Sequence, residues 1–271
     1  MGHTDPEDSN HVALVTGGCS GIGRAIAGRL AARGHALVLV SERADALEVA
    51  AAELRATHRV AVHAVAMDLA RPEAAAELHA AVTGRGLAVD ILVNNAGFFF
   101  FGETVDADPA RAAAMLQLHV VTPSLLCTRF GRDMRARGRG NILIVASISA
   151  WRDLPGINYY GSSKKYLRGF ALALRCELAV HGVNVTCLAP GATATALYSA
   201  TAVPVERARR LGVMMDADAV AEAGVAAMFA GAGEHVPGLL TRAMTLGAVL
   251  TPQWAIDLLR RRGPWLRGGP R

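Results

Sequence analysis

The sequence has few features of secreted, zinc-binding or membrane-spanning proteins. Its four cysteines, Cys19, Cys127, Cys176 and Cys187, show no C-x-x-C spacing, which argues against a disulfide framework or a zinc site. No run of about 18 uncharged apolar residues is present, so no transmembrane helix is predicted. The first ten residues are polar and acidic, unlike a signal peptide. We therefore expect a soluble, cytoplasmic protein without a bound metal.

Aromatic residues are also scarce, at 5% of the chain, whereas 52% of residues are hydrophobic and alanine, valine and leucine dominate. This balance suits helices packed on a buried sheet. The length of 271 residues fits one large α/β domain, and neither an internal repeat nor an interdomain linker is evident.

The excess of positive charge is small, and the positive residues are dispersed along the chain or terminal. The formal net charge is +5, and the densest basic cluster lies in a Gly/Pro-rich C-terminal segment that contains Arg260, Arg261, Arg262, Arg267 and Arg271. This distribution favours a solvated basic tail over a surface for nucleic acid or membrane.

A glycine-rich turn follows the first predicted strand. Val12–Thr16 is a short apolar run typical of a buried strand, and Arg24–Arg33 has the pattern of a helix. Between them stand Gly17, Gly21 and Gly23, which let backbone N–H groups approach a phosphate at the positive end of a helix. The turn is therefore a candidate dinucleotide site, although a merely tight connection would have a similar composition.

The same alternation of strand and helix continues along the chain and predicts βαβ units with a parallel sheet. We expect residues 1–10 to be a disordered tail, 11–259 to be one doubly wound α/β domain, 192–215 to cover the substrate, and 260–271 to be the basic tail. Strands are predicted at 36–40, 60–65, 91–93, 141–146 and 183–188, and helices at 45–57, 72–83, 108–137, 160–181, 217–229 and 252–262, with an irregular stretch from 230 to 250.

A tyrosine and a lysine stand four residues apart near the start of a predicted helix. At this spacing Tyr160 and Lys164 project from one helix face, and an ammonium group beside a phenol lowers the phenol pKa from about 10. A tyrosine in that setting can exchange protons near neutral pH. Ser147, at the end of a predicted strand, could hydrogen-bond the reacting oxygen.

Together these motifs resemble the short-chain dehydrogenase/reductase family. The resemblance covers about residues 11–200 and implies a seven-stranded Rossmann-type sheet, an NAD(P) cosubstrate, a carbonyl or alcohol substrate that is a small molecule, and a homodimer or homotetramer built on two long helices. The matching pieces are Thr16-Gly17-x-x-x-Gly21-Ile22-Gly23, Asp68-Leu69, Asn94-Asn95-Ala96-Gly97, Ser147, Tyr160-x-x-x-Lys164 and Pro190-Gly191.

The resemblance also implies roles for individual residues. Lys164 holds the nicotinamide ribose, Asp68 and Leu69 meet the adenine, and Asn94 lies on the adenosine side. Asp68 as a helix cap and Asn94 in a strand-end turn are the structural alternatives. The other residues implied at the cofactor are Gly17, Cys19, Ser20, Gly21, Ile22, Ala96, Gly97, Tyr160, Pro190, Gly191, Thr193 and Thr195.

The choice between NAD and NADP depends on three residues after the second strand. Ser41 stands where NAD-preferring members usually place an aspartate, and it is followed by Glu42 and Arg43. Glu42 would repel a 2′-phosphate if it pointed inward, whereas Ser41 and Arg43 could bind one. The sequence thus favours NADP(H) over NAD(H).

One position departs from the family pattern. Family members usually carry an asparagine in the long helix, where it holds a water that relays protons to the lysine, and this chain has His119. Imidazole can also donate and accept protons, so His119 is a candidate relay residue. A histidine hydrogen-bonded inside a helix is the structural alternative.

Aromatic and methionine side chains near the predicted cleft favour a bulky apolar or aromatic substrate, such as a polyketide- or steroid-like ketone. Ordinary core packing is the alternative for each of them. Dehydration or isomerisation on the same fold, and dinucleotide binding without turnover, are the alternative functions. The candidate substrate residues are Phe98, Phe99, Trp151, Tyr198, Met214 and Met215.

Overall fold

The computed structural model describes residues 11–194 and 214–262. Thr195, Tyr198, most of the predicted substrate cover, the N-terminal tail and the last nine residues lie outside this part of the chain. Among the described residues, no helix has both the length and the apolar character that crossing a membrane requires.

Seven strands form one sheet, and every strand pair in it is parallel. The order across the sheet is β3-β2-β1-β4-β5-β6-β7, so the seven-stranded doubly wound sheet is confirmed. The strands are β1 Val12–Thr16, β2 Ala36–Ser41, β3 Val62–Ala66, β4 Val89–Asn94, β5 Gly140–Val145, β6 Val183–Leu188 and β7 Glu234–His235.

Both faces of the sheet are covered, which explains why the strands are apolar without alternation. In β1, Leu14 packs into one core cluster, whereas Ala13 and Val15 pack into the cluster on the opposite face. The covering helices, with the two that follow β7, are α1 Gly21–Ala31, α2 Ala44–His58, α3 Ala74–Thr83, α4 Pro109–Leu116, α5 Thr122–Arg137, α6 Asn158–Ala179, α7 Ala217–Phe229, α8 Leu239–Leu250 and α9 Gln253–Arg262.

The long helix predicted at 108–137 is interrupted. A π-helical stretch, Gln117–Val121, separates α4 from α5. Pro123 lacks the N–H that would bond to the carbonyl of His119, and its ring would clash there in a regular helix. The wider turn removes that conflict, and it places His119 inside the protein, 1% exposed.

The stretch from 230 to 250 was predicted to be irregular, and this prediction was wrong. It contains β7 and α8, a helix of 12 residues. The inward face of α8 carries Thr241 and Thr245, which are buried, so the stretch lacks the inward apolar stripe of an ordinary surface helix. α9 extends to Arg262 and so includes the first three residues of the predicted basic tail.

Candidate active site

The glycine-rich turn presents backbone to the carboxyl edge of the sheet. Gly17 and Gly21 have φ angles of 65° and 54°, which side chains with a Cβ rarely adopt. A Cβ at Gly23 would overlap the carbonyl oxygen of Gly17. The turn therefore brings the N-terminus of α1 and its free N–H groups to the end of β1, an arrangement that suits a phosphate.

Hydrogen bonds join this turn to the end of β4. Thr16 Oγ1 accepts from the N–H groups of Asn95 and Ala96 at 2.9 and 3.1 Å, and Asn95 Nδ2 donates to the carbonyl of Thr16 at 3.0 Å. Asn95 therefore fixes one strand end against the other. It also lines the cleft, a role that its place in the Asn-Asn-Ala-Gly motif could have suggested.

Asn94 points away from that edge. It is 5% exposed, and its Nδ2 donates to Cys127 Sγ at 3.2 Å and to the carbonyl of Pro123 at 3.5 Å. Burial raises the pKa of the Cys127 thiol to about 12, so the thiol stays protonated. The geometry thus favours a structural role for Asn94 beneath the cleft.

Two adjoining cavities run along the carboxyl edge of the sheet. They measure about 370 and 450 Å³ and share Gly17, Ser20, Arg43, Ala96, Gly97 and Phe98. The first is also lined by Gly21, Ile22, Asn95, Phe99, His119, Ser147, Tyr160, Lys164, Pro190, Gly191 and Thr193, and the second by Cys19, Ser41, Glu42, Asp68, Leu69 and Arg111, among others.

Tyr160 and Lys164 lie one turn apart on α6 and face the first cavity. They are 8% and 5% exposed, and Lys164 Nζ is 5.6 Å from the centre of the Tyr160 ring. The ammonium group donates to the carbonyl oxygen of Val145 at 2.9 Å. Burial lowers the pKa of Lys164 to about 8, so the ammonium is largely charged at neutral pH and titrates above it.

Ser147 stands just after β5, where it begins a short 3₁₀ turn, Ile148–Ala150. Its Oγ accepts from the N–H of Ser149 at 3.2 Å, and the turn is held to the end of β6 by a bond from the N–H of Ile148 to the carbonyl of Pro190. This arrangement keeps the Ser147 hydroxyl at the first cavity, whose lining does not include Ser149.

His119 connects the loop after β4 to α6. Its Nε2 accepts from the N–H of Phe98 at 3.1 Å, and its Nδ1 lies 3.1 Å from Ser163 Oγ, which donates to the carbonyl of Tyr160 at 2.7 Å. The proton of the imidazole therefore lies on Nδ1 and is donated to Ser163. Burial, and to a smaller extent the charge of Lys164, hold the pKa of His119 well below its usual value. In the described part of the chain, its ring makes no hydrogen bond to Lys164.

Arg43 spans the two cavities on the side of α1. Its guanidinium donates to Ser20 Oγ at 2.7 Å and to Cys19 Sγ at 3.1 Å. Ser41 Oγ accepts from the N–H of Arg43 at 3.3 Å, and Glu42 is exposed on the wall of the second cavity. Three hydrogen-bonding side chains and a cation thus converge beyond the glycine-rich turn.

The candidate substrate residues divide into two groups. Phe99 packs edge-on against the Tyr160 ring at 5.0 Å between centroids, and Phe98 lines both cavities. Trp151 instead stacks under the guanidinium of Arg168 at 4.4 Å. Met214 is 5% exposed, and Met215 contacts Thr241. Of the candidates in the described residues, only the two phenylalanines line these cavities.

Arg111 was not among the predicted site residues. It lies on α4, lines the second cavity and stacks over the Phe100 ring at 5.0 Å. Its position depends on the direction of α4 relative to the loop after β4, and no local sequence pattern indicates that direction.

Known proteins share both the sequence pattern and the fold. The pattern of the short chain dehydrogenase family matches residues 11–203. Human dehydrogenase/reductase SDR family member 4 is 35% identical over 184 residues, which cover 68% of this chain and 66% of that protein, a little under two thirds of its length.

Solved structures cover nearly the whole chain. A short-chain dehydrogenase from Sphingobium yanoikuyae in complex with NADPH superposes with a TM-score of 0.78 at 27% identity, covering 96% of this chain and 99% of that one. A 7β-hydroxysteroid dehydrogenase superposes with a TM-score of 0.82 at 25% identity, covering 93% and 98%. The chain therefore belongs to the short-chain dehydrogenase/reductase family of oxidoreductases, as its motifs predicted.

Proposed function

We propose that the protein interconverts a carbonyl and a secondary alcohol with NADP(H), using Tyr160 as the general acid/base. The observation that supports this most is the buried Tyr160–Lys164 pair, which lines the same cavity as the glycine-rich turn. A pair of this kind has no evident role in packing, because burying an ammonium group is unfavourable.

The cleft fits a dinucleotide. The backbone of the glycine-rich turn would hold the pyrophosphate, and the second cavity, with Asp68 and Leu69, would take the adenosine. The Asp68 carboxylate is held by the loop after β3, since its Oδ1 accepts from the N–H of Ala70 at 2.8 Å. Gly191 and Thr193 line the other end, beside Lys164. A bound nicotinamide supplies or accepts the hydride there.

Three side chains of the protein would carry out the proton transfer. Tyr160 would donate its phenolic proton to the carbonyl oxygen in reduction and take it back in oxidation. Lys164 would stabilise the phenolate, because its charge lies inside the protein, where water screens it weakly. Ser147 would hydrogen-bond the same substrate oxygen as its charge develops.

Replacing Tyr160 by phenylalanine tests this role. Tyr160→Phe removes the proton donor, and we expect kcat for NADPH oxidation with an active ketone to fall by about 10²–10⁴-fold, with cofactor binding retained. The neighbouring Tyr159→Phe is the matched control, because that ring packs on Phe100 at 6.1 Å, and its activity should stay near the wild-type value. Equal activity of both variants would refute the assignment, and cofactor binding without turnover on a panel of ketones and alcohols would favour a binding protein.

NADP(H) is proposed over NAD(H) because of the group around Arg43. The guanidinium lies within hydrogen-bonding distance of Ser20, so the two could hold a 2′-phosphate together. The related Sphingobium structure contains NADPH. Glu42 opposes this choice only if it faces the phosphate, and its side chain is exposed.

Arg43→Ala tests the preference for NADPH over NADH. Loss of a charge-assisted hydrogen bond is expected to raise the KM for NADPH by about 10- to 100-fold and to leave that for NADH nearly unchanged. Arg24→Ala is the control, because Arg24 pairs with Glu53 of α2 at 3.1 Å and lines neither cavity. An unchanged KM for NADPH in Arg43→Ala would contradict NADP preference.

We propose a bulky apolar ketone or alcohol as the substrate class. Phe98 and Phe99 line the first cavity together with Val145 and Ala146, so its wall beside Tyr160 is largely apolar. The similarity to a 7β-hydroxysteroid dehydrogenase agrees with a ring substrate. Turnover of small polar sugars in preference to apolar ring ketones would overturn this part of the proposal.

His119 is proposed to position the site rather than to relay protons. Both of its ring nitrogens are used, one by the loop that carries Phe98 and Phe99 and the other by Ser163 beneath Tyr160. A Cβ on Gly97 would lie 2.7 Å from His119 Nε2, which shows how closely the loop approaches the ring. The imidazole thus sets the distance between the apolar wall and α6.

His119→Ala tests the positioning role, because loss of positioning should change KM, whereas loss of a proton relay should change the pH profile. We expect about a tenfold fall in kcat/KM, mainly through KM, because the Phe98 loop loses its anchor. The alkaline decline of reductive activity near pH 8 should stay in place, because Lys164 sets it: its charge is present below the pKa of about 8 and lost above it. Ser163→Ala should show the same pattern. A shifted alkaline limb in His119→Ala alone would support a relay instead.

A further inference from the structure

The helix that follows β7 has an unusual orientation. α8 contacts the rest of the protein through threonines, since Thr241 and Thr245 are buried, and Thr245 Oγ1 donates to the carbonyl of Thr241 at 2.8 Å. Its large apolar side chains point outward. The exposed fractions of Leu239, Leu246 and Leu250 are 82%, 62% and 72%.

α9 extends the same surface. Ile256 is 5% exposed and anchors the helix, whereas Trp254 and Leu258, one turn apart, are 68% and 40% exposed. We name this surface the C-terminal apolar face. It consists of Leu239, Leu240, Met244, Leu246, Val249, Leu250, Trp254 and Leu258. An exposed apolar surface of this extent usually marks an interaction site.

The same segment carries the excess charge of the chain. Residues 236–271 contain six arginines, one aspartate and no lysine or glutamate, which is a net charge of +5. Since the whole chain has 28 basic and 23 acidic residues, residues 1–235 have 22 of each and are neutral. The apolar face and the positive charge therefore coincide in the last 36 residues.

We propose that α8 and α9 dock on the surface of an anionic lipid bilayer. Helices with apolar Leu and Trp on one face and an excess of arginine lie in the plane of the interface, where the apolar face enters the acyl boundary and the arginines meet anionic headgroups. With 12 residues, α8 is about 18 Å long, which is shorter than the hydrocarbon core of about 30 Å, so it suits the interface rather than a span.

The net charge of residues 236–271 favours a bilayer over a second copy of the chain as the partner of this surface. Two copies that met through this surface would bring two segments of net charge +5 together, which is repulsive, whereas an anionic surface attracts both.

The docked face would lie close to the cleft. Thr241, on the inner side of α8, is 3.1 Å from the position of a Cβ on Gly191, and its Oγ1 is 3.4 Å from Met215 Sδ. The bilayer would thus be about one helix diameter, roughly 10 Å, from the edge of the first cavity. Docking does not depend on which reaction the cavity performs.

Vesicle sedimentation of the full-length protein tests the proposal. We expect binding to phosphatidylcholine vesicles that contain phosphatidylserine, little binding to phosphatidylcholine alone, and weaker binding as salt is raised. The double variant Leu246→Glu with Leu250→Glu should reduce the bound fraction by about tenfold or more, because two leucines leave the acyl boundary.

The matched control is Val49→Glu with Val180→Glu, which adds the same charge at side chains that are 60% and 81% exposed, on α2 and at the end of α6. It should bind vesicles like the wild type, and all three proteins should keep the same circular dichroism and NADPH binding. Absence of wild-type binding to anionic vesicles, or equal loss in both double variants, would overturn the proposal. A dimer in light scattering that only Leu246→Glu with Leu250→Glu dissociates, without vesicle binding, would assign the face to a second copy.

Discussion

The ammonium group of Lys164 lies inside the protein, and the rest of the site is arranged around it. A buried charge is unfavourable unless it is hydrogen-bonded, and the carbonyl of Val145, at the end of β5, accepts from it at 2.9 Å. That bond fixes α6 against the carboxyl end of the sheet. Since Tyr160 stands one turn earlier on α6, the same bond also holds the phenol beside the charge and at the cavity.

The other elements bring their groups to the same edge because the sheet is parallel. The turn after β1, Asn95 after β4, Ser147 after β5 and Gly191 after β6 all meet there. Side-chain bonds then set the distances, with Thr16 joining β1 to β4 and His119 joining the β4 loop to α6. In the mechanism proposed above, His119 supports the site at a position where the family usually carries a proton-relaying asparagine.

Periodicity and motif spacing were sufficient to predict the sheet, most helices and the Tyr160–Lys164 pair, because each depends on local pattern. Prediction from the sequence failed where tertiary contacts determine the local structure or the direction of a side chain. α8 has its threonines inside and its leucines outside, which reverses the usual pattern, and β7 is only two residues long. The inward turn of Asn94 and the approach of Arg111 also depend on neighbouring elements. Trp151 was expected at the cleft from its place in the chain, yet it stacks with Arg168.

The proposed mechanism requires that the buried charge of Lys164 lower the pKa of the Tyr160 phenol. Ultraviolet difference titration of the wild type against Tyr160→Phe isolates the ionisation of this phenol. The same comparison between Lys164→Met and the double variant Lys164→Met with Tyr160→Phe isolates it in the absence of the lysine charge. With Lys164 present, we expect Tyr160 to ionise well below the usual pKa of about 10, and without it at that value or above. Identical titration curves with and without the lysine would contradict it.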